Sequence, residues 1–158
     1  MTSTTDNGYK RALNTALRLL TRRDHTRYEL SQKLKKRGTA KDIISRVVAE
    51  CERLNYLNDQ RTAEVYIRQL KRKYGVHRIR SEFKKKGISE DIAENLITDQ
   101  ISEPDELQRA DRILKKKSAA FAREEDLKKR REKMYRFLRS RGFPNAVIAR
   151  LIHDTSRT

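Results

Sequence analysis

The segment Leu30-Ser31-Gln32-Lys33-Leu34-Lys35-Lys36-Arg37-Gly38 returns twice more in degenerate form. The other copies are Ile79-Arg80-Ser81-Glu82-Phe83-Lys84-Lys85-Lys86-Gly87 and Met134-Tyr135-Arg136-Phe137-Leu138-Arg139-Ser140-Arg141-Gly142. Each copy has large apolar residues eight and four positions before its glycine, which share one helix face. Each has basic residues one and three positions before it, in the last turn, where cations suit the negative end of the helix dipole. A glycine just past the helix closes the turn at positive φ without steric cost. The match continues beyond it, with apolar residues five, nine and ten positions on: Ile43, Val47, Val48; Ile92, Leu96, Ile97; Val147, Leu151, Ile152. The spacing between glycines is 49 and then 55 residues, so the third copy carries an insertion. This is the pattern of a tandem helical repeat.

Working outward, each helix–glycine–helix pair follows another apolar stripe. The stripes are Leu13, Ala16, Leu17, Leu20; Ala63, Tyr66, Ile67, Leu70, Tyr74; and Leu107, Ala110, Leu114. Start signals agree: Thr39 with Asp42 has capping-box spacing, Ser89 suits an N-cap, and Pro104 and Pro144 suit first helical positions. The expected fold is all-α, three tandem three-helix repeats, about nine helices, forming an elongated curved array. The expected divisions are a disordered tail over 1–9, repeats over 10–55, 56–102 and 103–154, and a tail over 155–158. No alternating run or hairpin turn points to a strand. A unit of about 50 residues buries too little surface to be very stable alone, so neighbours are expected to stack.

Charged residues make up 39% of the 158 and apolar residues 35%, which favours thin helical layers over one thick core. No apolar run reaches the roughly 18 to 20 residues of a membrane span. Met1 to Gly8 is polar, unlike a signal peptide. A lone cysteine, Cys51, permits no internal disulfide, so a reducing cytoplasmic setting is expected. The net charge of +17 calls for an anionic partner, whether DNA, RNA, a membrane surface or an acidic protein groove. That charge is concentrated. Residues 10–37, 68–86 and 109–141 are strongly basic, whereas 87–108 holds seven acidic residues and no basic one.

Enzymatic chemistry finds no support. His25, His77 and His153 fall in different repeats, without a second ligand at metal spacing, and are read as cap or surface residues. Cys51 continues the apolar stripe of Ile44, Val47, Val48 and Leu54 and is read as a small core hydrophobe. Gly38, Gly75, Gly87 and Gly142 are read as helix terminators, which leaves no glycine-rich phosphate loop. No catalytic residue, metal or cofactor is expected.

One stretch is distinctive: Tyr56-Leu57-Asn58-Asp59-Gln60-Arg61-Thr62-Ala63-Glu64, then Tyr74-Gly75-Val76-His77-Arg78-Ile79-Arg80-Ser81-Glu82-Phe83 and Lys86-Gly87-Ile88-Ser89. It resembles the RecX family of bacterial RecA regulators. Leu19-Leu20-Thr21-Arg22-Arg23-Asp24-His25-Thr26-Arg27-Tyr28-Glu29-Leu30 and Lys133-Met134-Tyr135-Arg136-Phe137-Leu138-Arg139-Ser140-Arg141-Gly142-Phe143 extend the resemblance over roughly residues 10 to 154. Thr62 stands where the family usually has Phe, and Lys73 where it usually has Gly. The resemblance implies three tandem three-helix units. It also implies a protein without enzymatic activity that binds the RecA–DNA filament and inhibits its recombinase, ATPase and coprotease functions. Recombination, DNA repair and the SOS response would be modulated thereby. The alternative is a non-specific DNA-binding protein that acts on RecA only indirectly.

The expected contact face is basic. It comprises Arg22, Arg23, Lys35, Lys36, Arg37, Lys71, Arg72, Lys73, Arg78, Arg80, Lys84, Lys85, Lys86, Arg139 and Arg141. The competing reading is a solvated face with dipole complementation in the last turns. Expected partners are the RecA filament and single- or double-stranded DNA, with no membrane, and a monomer is expected. Asn58 or Asp59 is read as a helix cap behind a Tyr56–Leu57 staple, and Thr26 with Glu29 as a capping box. Tyr74 completes the apolar stripe and is read as core in preference to a base-stacking residue.

Overall fold

The computed structural model describes residues 2–155, which form ten α-helices and no strand. They are α1 (Thr2–Arg22), α2 (Arg27–Lys36), α3 (Lys41–Arg53), α4 (Asp59–Leu70), α5 (Val76–Lys85), α6 (Glu90–Gln100), α7 (Glu103–Lys115), α8 (Ser118–Ala122), α9 (Leu127–Ser140) and α10 (Asn145–Thr155). The tenth helix, α8, is a five-residue helix within the third, longer repeat, where about nine helices were expected.

Each copy ends its middle helix as the glycine predicts. Gly38, Gly87 and Gly142 have φ of +78°, +69° and +85°. Behind them, Thr39 N–H donates to Leu34 O at 3.2 Å and Phe143 N–H to Leu138 O at 3.3 Å, which closes the otherwise orphaned carbonyls. Gly75 does not belong to this group, since its φ is not positive. Its backbone instead lies so close to Gly142 that an added Cβ would sit 2.5 Å from Gly142 O. The left-handed residue ending α3 is Asn55, φ 59°, one of the few side chains that tolerate that region.

The chain divides into two compact units. The first runs to Glu64 and includes Lys84–Ser89; the second holds Val65–Phe83 and Glu90 onward. In the first, Ala12, Ala16, Leu30, Leu34, Val47, Val48, Cys51 and Leu57 form the core shared by α1, α2 and α3. In the second, Ala110, Ile113, Leu114, Met134, Leu138, Phe143, Val147, Ile148 and Leu151 form a core among α7, α9 and α10. Nearer its start, Tyr66 and Phe83 meet with ring centroids 6.1 Å apart.

The tail expected over 1–9 is helical from Thr2. Tyr9 packs against the first core, and the Arg46 guanidinium lies 4.5 Å above its ring. Asp6 pairs with Lys10 at 3.2 Å. From such an anchored turn, each further residue adds a hydrogen bond without repeating the cost of nucleation. At the other end α10 reaches Thr155, and the rest of the expected 155–158 tail lies outside the described residues.

Caps were partly legible. Thr26 and Glu29 form the capping box. Asn58 Oδ1 accepts from Arg61 N–H at 3.0 Å. Of the expected staple, Leu57 is buried and Tyr56 is exposed. Thr39 does not cap α3; Ala40 holds that position without a side-chain bond. Pro144 sits just before α10, its carbonyl accepting from Ile148 N–H, so it occupies the cap position and not the first turn.

Candidate functional site

The basic turns are placed by a joint that occurs in both units. In the first, the Lys86–Gly87 turn seats on the start of α2. Thr26 Oγ1 donates to Lys86 O at 2.5 Å, and Lys86 Nζ donates to Glu29 Oε1 at 2.6 Å. An added Cβ on Gly87 would lie 2.2 Å from Tyr28 Cβ. In the second, the Arg141–Gly142 turn seats on the start of α5. Gly75 N–H donates to Arg141 O at 2.8 Å and His77 N–H to Gly142 O at 3.0 Å. Thr26 and Gly75 hold equivalent repeat positions, each twelve residues before its own turn glycine. In both joints, therefore, the carbonyl preceding the incoming glycine takes a hydrogen bond from that position.

The joint divides the expected contact face. Lys86 is held by Glu29. Arg141 is half-buried, with its guanidinium 5.9 Å from the Tyr74 ring centroid and 5.3 Å from that of Phe137. Arg78 lies 5.3 Å from the same Tyr74 ring and 2.9 Å from Glu82. Tyr74 is thus half-buried between two guanidinium groups. Arg80 grips Glu94 with two bonds, 2.5 and 3.1 Å. Lys71 Nζ donates to Gln100 O at 2.8 Å. Arg23 reaches Asp24 O at 2.8 Å and Glu29 at 3.3 Å, and Arg139 reaches the Tyr135 hydroxyl at 3.3 Å. Arg37 donates to Lys33 O in its own helix. Lys85 is exposed. Arg22, Lys35, Lys36, Arg72, Lys73 and Lys84 are exposed and have no ion-pair partner among the described residues. Arg22, Lys35, Lys36 and Lys84 belong to the first unit, Arg72 and Lys73 to the second.

Two charged residues that the sequence did not single out are buried. Glu106 and Arg109 on α7 are each only 5% exposed. Glu106 Oε1 accepts from Val76 N–H at 2.7 Å, which caps α5. Arg109 Nη1 donates to Tyr74 O at 2.7 Å and Lys71 O at 3.3 Å, closing the chain after α4. Burial pushes the Glu106 carboxyl up, against the Val76 N–H bond and the nearby Arg109 charge. Sequence placed Glu106 and Arg109 on opposite sides of a charge boundary, and only folding reveals them as joint caps.

His25 is buried, not a surface residue. Its Nδ1 lies 2.9 Å from Arg23 O and its Nε2 2.8 Å from Lys33 Nζ. A neutral ring protonated at Nδ1 satisfies both contacts, since Lys33 has only donors to offer. Burial lowers the pKa of His25, and the neighbouring Arg23 and Lys33 charges act in the same direction. Thr62, where the family usually has Phe, is buried and donates to His25 O at 3.4 Å. For the Glu29 carboxyl, burial acts upward, but bonds from Lys86, Thr26 N–H and Arg23 outweigh it and hold it at about 2. Cys51 is fully buried and its thiol is pushed up by that burial, as an inert core residue requires.

Among the described residues no cluster of His, Cys, Asp and Glu is arranged to hold a metal, and no helix is long and apolar enough to cross a membrane. Models of the first, second and third three-helix domains of RecX match residues 12–51, 58–97 and 104–152. The Regulatory protein RecX of Legionella pneumophila (strain Corby) is 36% identical over 146 residues, covering 91% of this chain and 94% of the relative. That of Haemophilus influenzae (strain PittEE) is 31% identical, covering 89% and 92%. The crystal structure of RecX from Lactobacillus salivarius shares the fold, with a TM-score of 0.83, 22% identity, and coverage of 97% and 99%. With three family domains in order and this identity along nearly the whole length, the chain belongs to the RecX family of regulatory proteins.

Proposed function

We propose that this protein binds the RecA nucleoprotein filament and inhibits RecA's recombinase, ATPase and coprotease activities, as a cytoplasmic regulator of recombination, repair and the SOS response, not as an enzyme. Family membership supports the regulatory role. The single observation that carries the mode of binding is the set of basic side chains left without counter-charge after the joints are made. Lys35, Lys36 and Lys84 in the first unit and Arg72 and Lys73 in the second are the contacts of choice. Arg80, Lys71 and Lys86 are already spent on internal acceptors. Two basic patches on one chain give avidity on a periodic filament, because the second binds at high effective concentration.

The test is ATPase of preformed RecA filaments titrated with wild type, Lys35→Glu/Lys36→Glu and Arg72→Glu/Lys73→Glu, with naked DNA as competitor. Both variants should inhibit more weakly, and competitor DNA should not relieve wild-type inhibition. Inhibition by both variants equal to wild type would refute the assignment. Relief by competitor DNA would favour the indirect, DNA-binding reading. The scarcity of aromatics (6%, no Trp) argues against that reading as the sole activity, since single-strand platforms use stacking.

A further inference from the structure

Lys33 is held by a nitrogen that carries no charge. Its Nζ lies 2.8 Å from His25 Nε2, and no carboxylate pairs with it among the described residues. Lys10, Lys86, Lys115 and Lys133, by contrast, each meet an Asp or Glu within 3.2 Å. Glu29, on the same helix as Lys33, is already committed. It accepts from Lys86 Nζ at 2.6 Å, Thr26 N–H at 3.1 Å and Arg23 at 3.3 Å. Cations flank the pair on every side. The Arg23 carbonyl holds His25 Nδ1 at 2.9 Å, and Arg37 Nη1 donates to the Lys33 carbonyl at 3.2 Å. Lys86 arrives from the turn seated on α2. Lys33 itself is half-buried, neither sealed from solvent nor free in it. Burial lowers the pKa of its ammonium; the Arg23, Arg37 and Lys86 charges act in the same direction, and Glu29 acts against them.

We infer that Lys33 is a covalent modification site, whose amine is acylated by small acyl phosphates. An ammonium at this place adds a charge to Arg23, Arg37 and Lys86 without a carboxylate of its own to offset it. The amine form does not. It keeps one N–H donated to His25 Nε2 and leaves its lone pair for attack. A lysine set beside other cations is activated as a nucleophile in this way. The same cations favour an anionic reagent, and guanidinium groups suit a phosphate leaving group. In the step, the Nζ lone pair attacks the acyl carbon and the C–N bond forms. The C–O bond to phosphate breaks with its electron pair, and the proton released by nitrogen goes to the departing phosphate. The product amide retains one N–H, so the bond to His25 Nε2 survives acylation. His25 is thus a positioning residue and is not consumed. One positive charge is lost, two residues before Lys35 in the basic turn. The site lies wholly within the first unit. Its assignment does not rest on the RecA-filament reading.

The test is incubation of the full chain with acetyl phosphate near neutral pH, with acetylation at each lysine followed over time by peptide mass spectrometry. Lys33 should react at least about fivefold faster than Lys35 and Lys36, which are exposed at the end of the same helix. As pH rises, its rate should level off earlier than that of Lys35, because its amine form is reached sooner. Arg23→Gln should slow acetylation of Lys33 by at least about twofold and leave Lys35 unchanged, with circular dichroism checking that the variant folds. In urea the preference should vanish, since the cations no longer gather around Lys33. The uncharged N-hydroxysuccinimide ester of acetic acid should show a smaller preference for Lys33 than acetyl phosphate does. Equal rates at Lys33 and Lys35, a shared pH profile, no effect of Arg23→Gln or a preference that persists in urea each overturns the site. An equal preference with the ester overturns the assignment to acyl phosphates. RecA is absent throughout, so this proposal and the filament reading fail independently.

Discussion

The Lys86–Glu29 pair gives the sharpest test of the joint. Glu29 is mostly buried, with 13% of its side chain exposed, and Lys86 is 32% exposed. A carboxyl held at about 2 against an ordinary 4.5 corresponds to at most about 3.4 kcal/mol of preference for the charged form, at 1.36 kcal/mol per unit. That ceiling is shared among Lys86, Thr26 N–H and Arg23, and solvent reaches the ammonium. The share lost with Lys86 is therefore about 1.5–2 kcal/mol, in the range for a charge-assisted hydrogen bond. The assay is urea unfolding of wild type, Lys86→Met, Glu29→Gln and the double variant. The single variants should each cost about 2 kcal/mol, with a coupling of at least about 1 kcal/mol in the cycle. The depressed carboxyl sets the pH dependence. Its contribution is complete above about 4.5 and is lost as pH falls towards about 2, because the unfolded chain takes up the proton first. A coupling below about 0.3 kcal/mol at pH 7, or one that does not shrink between pH 4.5 and 2, would refute the joint as described.

Gly75→Ala should destabilise by more than about 2 kcal/mol, since the new Cβ meets the backbone of Gly142; Gly38→Ala should cost about 1–2 kcal/mol from positive φ alone. Denaturant midpoints compare the two, and an equal loss would remove the close-approach argument. Leu34→Ala, at a fully buried core position, should cost about 2–5 kcal/mol by the same measurement. His25 is held neutral in the fold, so stability should fall as pH drops below its ordinary value of 6.5, until the folded imidazole itself takes the proton. His25→Gln should flatten that part of the pH–stability curve, and an unchanged curve would count against the buried neutral ring.

Much of this fold was legible because helix ends are local chemistry. Apolar spacing, a following glycine and basic last turns each act within a few residues, so Leu34, Phe83 and Leu138 were placed on buried faces and Gly38, Gly87 and Gly142 at turns. The capping box at Thr26 and Glu29 is equally local. The contact face was less legible. Lys35, Lys86 and Arg141 look alike in sequence, each a cation one or three residues before a turn glycine. Yet Lys35 points to solvent, Lys86 is held by a carboxylate 57 residues away, and Arg141 lies over Tyr74.

By itself, then, the sequence determined the helical repeat, its turns, the family and the excess of positive charge, all consequences of periodicity and composition. Only the tertiary structure decided which charges are spent. It turned Gly75 from a terminator into a point of close backbone approach and Glu106 and Arg109 into buried caps. The physical reason is that a charge's role depends on the dielectric and the partners around it, and those partners arrive from other repeats once the chain folds.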